Sequence, residues 1–351
     1  MLEAISSSIS HRMSEVVNNF LSAGTSIDHL SGASEYWHFD ALSDDGREAL
    51  IVTFHNNYAF SPRFFREAKQ NGSAPSKRFP AVTFTYSVDG TIVLRAVNEF
   101  TAGEFPNNRE RCTIGKSSFE QSCAAYGSGF MLHIDLLTAR KCRLEADLEW
   151  VTIETRDSRS AGDDSAARSI VVPRSDVSGR IMRIGRRGLT QKVFNFRGTG
   201  YHDHVQGGDL LENAAARIFG RAHFIDATAI FECRDKEESR VVICRDGVMT
   251  ERNAKMEAQS YRRDRYGLSF AQRLSFVTDD NLRVRVKPLM AIESGFFKKT
   301  MTSEITLMLR DGKPRKTTGI VEFTTPGRMK NGVFRWLSDL RIGKNGRSPL
   351  F

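Results

Sequence analysis

A chain of 351 residues that is 40% hydrophobic and 26% charged is long enough for two hydrophobic cores and too apolar for wholesale disorder. Its net charge of +9 invites a polyanionic partner, yet no helix-turn-helix, RNP or zinc-finger signature accompanies the basic residues, which sets nucleic acid aside. Five Cys without a CxxC spacing argue against a disulfide framework, and no segment has the apolar length of a signal peptide or a membrane-spanning helix, so a cytoplasmic protein is expected.

In chain order, residues 1–34 read as a helical extension, with Ile5, Ile9, Val16 and Phe20 on one side of a helix over 1–23. In Glu35-Tyr36-Trp37-His38-Phe39-Asp40, the residues Tyr36, His38 and Asp40 alternate against Glu35, Trp37 and Phe39, which places Trp37 and Phe39 towards a core. Residues 48–54 form a strand, and 81–87 with 91–97 form a hairpin turned by Val88-Asp89-Gly90. His133 and Asp135 share one side of a strand over 130–135, an ordinary half-buried pair, and a longer strand over 147–155 carries Trp150. Residues 156–168, small and polar, are a loop or linker.

The basic residues then cluster without a single acid at Arg180, Arg183, Arg186, Arg187, Lys192 and Arg197, and again around Tyr261-Arg262-Arg263-Asp264-Arg265. Attraction to anionic headgroups at a membrane surface accounts for such clusters as peripheral association. Residues 210–219 are Ala-rich enough for a short helix. A strand over 222–233 carries Asp226 on one face with Phe224, Thr228 and Ile230, where Arg221 is its natural partner, and a core histidine, His223, on the other. Strands over 240–244, 281–287, 304–310 and 319–324 follow, with a turn at Asp246-Gly247 and the basic side chains Arg283, Arg285 and Lys287 on a solvated face. Cys233 and Cys244 read as buried thiols. No glycine-rich phosphate loop follows a strand, so no nucleotide cradle is expected. The fold class is all-β and mainly antiparallel, with few helices.

The densest chemistry lies at Gly200-Tyr201-His202-Asp203-His204, followed by Gly207, Gly208 and Asp209. Strand alternation sends His202 and His204 one way and Tyr201 and Asp203 the other. Imidazole titrates near neutrality, and an adjacent carboxylate tunes it for acid/base work. The pair could also begin a metal site, with Asp203, Asp209 or Glu212 as oxygen donors, although no further ligand stands at a recognisable spacing; or it could simply satisfy hydrogen bonds at a strand end.

Tyr201-His202-Asp203-His204 with Gly207, then Gly220-Arg221-Ala222-His223-Phe224, resembles the carotenoid 1,2-hydratase (hydroxyneurosporene synthase) and AttH-like family. The segment from Glu35 to Asp40 resembles that family's opening Glu-Trp-Trp-Tyr-Phe-Asp, and Gly319-Ile320-Val321-Glu322-Phe323 with Pro326 is similar to its closing strand. The resemblance implies a pair of lipocalin-like β-barrels, here 35–170 and 171–351, with Tyr201 to His204 in the second. It also implies that no organic cofactor is used. Family hydratases add water to the terminal trisubstituted double bond of an acyclic carotenoid.

That reaction needs a protonated acid, an apolar wall and a base for the incoming water. His204 and Asp203 are therefore expected as the acid/base pair, with His202 orienting or relaying. Glu232 is the carboxylate nearest in position to an acid that the family carries on the following strand, where this chain reads Phe231-Glu232-Cys233. Tyr201, Gln206, Phe224, Phe231 and Trp37 are expected to line the pocket. Val205-Gln206 replaces the family's Asn-Trp, so cyclisation or double-bond isomerisation of a terpenoid, carotenoid or polyketide-like substrate stands beside hydration, and a lipocalin-like carrier of such a ligand is the alternative.

Overall fold

Alternating apolar residues and tight Asp-Gly turns build this chain almost entirely from antiparallel strands. The computed structural model describes residues 35–71, 78–101, 110–124, 127–154, 168–206, 216–235, 238–309 and 312–350. The expected N-terminal helix, most of the 156–168 loop and residues 210–215 of the expected short helix lie outside them.

The first unit holds β1 (Glu35–Ser43), β2 (Glu48–His55), α1 (Pro62–Asn71), β3 (Ala81–Val88), β4 (Thr91–Glu99), β5 (Arg111–Ile114), β6 (Ser117–Ala124), β7 (Gly127–Leu137), β8 (Arg143–Glu154), β9 (Arg168–Ile184) and β10 (Thr190–Gln206). Its strands run β4-β3-β2-β1-β10-β9-β8-β7-β6-β5 in one sheet. The β3–β4 turn is the expected one: Asp89 and Gly90 have φ of 49° and 72°, the left-handed pair that a type I′ hairpin requires. One face of this half-barrel packs a core of Trp37, Phe39, Phe54, Phe84, Phe119, Phe130 and Trp150 with aliphatic neighbours.

The second unit is a closed barrel of β11 (Arg217–His223), β12 (Thr228–Asp235), β13 (Glu238–Arg245), β14 (Val248–Arg263), β15 (Ser269–Thr278), β16 (Arg283–Ser294), β17 (Lys298–Met308) and β18 (Arg315–Thr324). Phe224, Phe231, Phe270, Phe276 and Phe323 fill it with smaller apolar residues. Arg285 and Lys287 are exposed as expected, alternating with the buried Val284 and Val286, whereas Arg283, expected on the same solvated face, is half-buried. After the barrel, α2 (Gly332–Asp339) starts on Asn331, whose side chain accepts from the Val333 and Phe334 amides. β19 (Gly343–Lys344) then returns to the first sheet, pairing parallel with β4.

Four expectations are corrected. The all-β, antiparallel class stands, but only the second unit closes by hydrogen bonding. The division at 170/171 is displaced: β9 and β10 pair with β8 and β1, so Tyr201 to His204 belong to the first unit. Residues 222–233 are not one strand; the chain reverses between β11 and β12, leaving Ile225 99% exposed and Asp226 at a turn. Arg217 to Phe219, expected in a helix, are strand because β18 and β12 supply ladder partners on both sides.

The approach of β10 to its neighbours depends on the absence of a side chain at Gly200. A Cβ there would lie 2.6 Å from Trp150 Nε1, closer still to Val177, and 3.0 Å from the Asp40 carbonyl. Gly200→Ala should therefore destabilise the fold by about 1–3 kcal/mol through overpacking. A urea midpoint equal to that of the parent would contradict this packing.

Candidate active site

β1 lies between two sheet neighbours and is buried on both faces, with Trp37 opposite His204, Phe39 opposite His202, His38 opposite Asp203 and Asp40 opposite Tyr201. Alternation along β1 and β10 therefore sorts the same two motifs into two environments. One lies within the first unit, and the other lies between the units.

Inside the first unit, His202 stacks on Phe39 with ring centroids 3.8 Å apart and sits edge-on to Phe130 at 4.7 Å. Its Nδ1 donates to the His38 carbonyl at 3.0 Å, which leaves Nε2 as a buried lone pair without a partner among the described residues. Burial lowers its pKa to about 3, against the pull of that hydrogen bond, so the ring is neutral at physiological pH. His202 cannot serve as a cationic acid there.

His204 lies at the end of the same row. It stacks on Trp37 at 4.9 Å and 11° between planes, and its Nε2 donates to Glu35 Oε1 at 2.9 Å. Gln206 Nε2 donates to that same oxygen at 3.2 Å, and Asn56 Nδ2 to Glu35 Oε2 at 3.1 Å. Burial pushes the Glu35 carboxyl up, but these three donors and the His204 charge outweigh it and hold the group below its ordinary value. The Glu35 side chain keeps 24% of its exposure while His204 keeps 2%, so the pair sits between solvent and the aromatic interior. A carboxylate that holds one ring nitrogen fixes the orientation and tautomer of the imidazole.

The opposite face forms a buried charged seam against the second unit. Asp203 is ion-paired with Arg168 and accepts from the Tyr201 hydroxyl at 3.0 Å. Arg168 also donates to the Tyr36 hydroxyl at 3.2 Å, approaches Glu232 at 3.5 Å and lies over the Phe219 ring at 3.8 Å. Glu232 accepts from Arg240 at 2.6 Å, and although burial works to raise its pKa, Arg168, Arg240 and Arg234 keep it below the ordinary value. Along β1, Asp40 holds His38 at 3.1 Å and pairs with the fully buried Arg221. Beyond them Glu322 holds Lys298 at 3.2 Å. β1 (Tyr36, Asp40), β9 (Arg168), β10 (Asp203), β11 (Arg221) and β12 (Glu232) thus bring side chains from segments far apart in sequence into one seam.

Of the expected site residues, His202, His204, Gln206 and Trp37 are brought together. Asp203, Tyr201 and Glu232 belong to the seam, because no turn rotates Asp203 out of the strand alternation. The register shifts near His202 and Asp203 fall in the pairing with β9, whereas the pairing with β1 stays regular. Phe224 and Phe231 pack inside the barrel, away from both histidines. Asp226 pairs with Arg245 and Arg315 rather than Arg221. His223 hydrogen-bonds Thr228 at 3.1 Å, and His133 pairs on the surface with Asp147 at 2.8 Å.

Sequence reasoning missed Glu35, the true carboxylate of His204, and Arg168. Glu35 carried a signal, since it alternates in phase with Trp37; Arg168 carried none, as the last residue of a polar run. Among the described residues, no group of three or more His, Cys, Asp or Glu could hold a metal ion, and no helix is long and apolar enough to cross a membrane.

No protein-family model matches the chain. It is 21% identical over 341 residues to hydroxyneurosporene dehydrogenase from Chlorobaculum tepidum, covering 90% of this chain and 88% of that protein. Its fold is similar to that of an AttH protein from Nitrosomonas europaea, with a TM-score of 0.59 and 13% identity over 85% of this chain and 94% of the other. It is also similar to CghA, with a TM-score of 0.56 and 14% identity over 84% and 88% of the two chains, and to CghA with Sch210972, at 0.51 and 12% over 84% and 89%.

Proposed function

We propose that this chain, AttH-like at the level of its family, is a cofactor-independent acid/base enzyme acting on a hydrophobic terpenoid, carotenoid or polyketide-like substrate. The reaction is hydration, cyclisation or isomerisation of a C=C bond. The observation that carries this reading is the Glu35–His204 pair, laid on Trp37 where the aromatic interior of the first unit meets solvent. Protonation of an alkene creates a cation that aromatic faces stabilise by roughly 0.5–2 kcal/mol each, and Trp37, Phe119 and Phe39 are the faces within reach of that row. Glu35 orients the ring and balances the charge when His204 is protonated, while the other ring nitrogen exchanges the proton with substrate or water.

Support comes from the similarity to hydroxyneurosporene dehydrogenase and from a CghA crystal that holds the small molecule Sch210972. Asp203 and Glu232, both fixed by arginines, serve this reading as scaffold.

The test is to extract the natively expressed protein and His204→Ala with organic solvent and compare what co-purifies by mass spectrometry. The expected result is a polyene, terpenoid or polyketide that is hydrated, cyclised or isomerised only by the parent protein. The same unmodified ligand from both would make the protein a carrier.

A further inference from the structure

Between the two units, away from Glu35 and His204, lies a cavity of about 190 Å³ whose wall includes Arg95, Arg265, Arg341, Tyr266 and Val97. Its described lining contains three arginines and no carboxylate. β4 contributes Arg95 and Val97, the β14–β15 turn contributes Arg265 and Tyr266, and the segment after α2 contributes Arg341. The site therefore exists only once both units and the C-terminal segment are assembled.

Arg265 and Arg341 are held by aromatic rings with no ion pair among the described residues, and Arg95 shares its carboxylate. Arg341 lies beside the rings of Phe296 and Tyr266, at 4.8 and 5.1 Å, and donates to the Tyr266 hydroxyl at 3.2 Å. Arg265 covers the same tyrosine ring at 4.9 Å. Arg95 reaches Glu293 at 3.4 Å, but Lys298 shares that carboxylate at 3.5 Å, and the buried Arg95 Nε has no partner among the described residues. Asp264, the nearest acid on the turn, is occupied by the Tyr266 and Leu268 amides and by Lys299. Burial tends to raise the Tyr266 pKa, yet its hydrogen bond from Arg341 and the charges of Arg341, Arg265 and Arg95 lower it, so all three cations are felt at one hydroxyl.

Three guanidinium groups around a part-buried cavity, with the Glu293 carboxylate beside Arg95 shared with Lys298, leave positive charge in excess, and guanidinium forks match the geometry of carboxylate and phosphate oxygens. We infer that this cavity binds the anionic head of a small organic ligand, a carboxylate or a phosphate, between Arg95, Arg341 and the Tyr266 hydroxyl, with carbon resting against Val97 and Ile92. The inference is independent of the Glu35–His204 reading and stands or falls separately.

The test is isothermal titration of the full chain with inorganic phosphate and with hexanoate at fixed ionic strength. Saturable binding of at least one is expected, weakened tenfold or more in Arg95→Gln and Arg341→Gln and unchanged in Arg187→Gln, an exposed residue elsewhere. Because Arg341 also packs on Phe296, Arg265→Gln at an exposed position is included, with a severalfold loss expected. A preference for phosphate assigns a phosphoryl head, and a preference for hexanoate assigns a carboxylate. Binding of neither probe, or binding unchanged in both Arg95→Gln and Arg265→Gln, overturns the inference.

Discussion

Arg221→Met should destabilise the protein by about 3–5 kcal/mol, because it leaves Asp40 as a buried carboxylate without its main counter-charge. Methionine keeps much of the volume, so the loss reflects charge rather than a cavity. Asp40→Asn combined with Arg221→Met should recover part of the loss, since no lone charge then remains. A double variant as unstable as the sum of the singles, read by urea midpoint, would mean that packing rather than pairing sets the cost.

The same pair sets an acid limb of stability. Burial opposes ionisation of Asp40, but the Arg221 charge and the His38 hydrogen bond bring its pKa down from 3.8 to about 2. A carboxyl whose folded pKa lies below its unfolded one contributes stability that is complete above the unfolded value and is lost as pH falls through the folded one. Asp40 should thus contribute roughly 2–3 kcal/mol above pH ~4 and lose it between about pH 4 and 2. In Asp40→Asn that part of the stability profile should flatten; an unchanged profile would assign the acid limb to other carboxylates.

The second large effect concerns chemistry. Once the substrate is identified, His204→Ala and Glu35→Gln should each lower kcat/KM by about 10²–10⁴-fold, the range of general acid/base catalysis. Because Glu35 acts through the ring it orients, the double variant should be no worse than the poorer single one. Losses that simply multiply would mean that the two groups act on substrate separately. Glu35→Gln should also displace the pH profile of kcat/KM, a change that a purely structural role for Glu35 would not produce.

Much of this arrangement was legible in the chain. Period-two patterning and the Asp89-Gly90 and Asp246-Gly247 turns specify antiparallel strands, since turn chemistry and alternation are local properties. The opposed faces of His202/His204 and Tyr201/Asp203 follow from alternation alone. The hairpin at 224–227 was not legible, because its flanks continue the apolar pattern and only the antiparallel pairing of β11 with β12, ending at His223 opposite Thr228 and the Phe224 amide on the Ala227 carbonyl, closes it.

What the sequence determined by itself was therefore the all-β class, the two faces of each motif strand and the histidine row. What only the tertiary structure decided was which carboxylate each histidine and arginine would meet. β1 pairs with β10, so the His204 contact with Glu35 spans 169 residues, and Arg221 reaches Asp40 across 181. No local propensity encodes such a pairing; it is selected by the burial of whole sheet faces, which also moved β9 and β10 into the first unit.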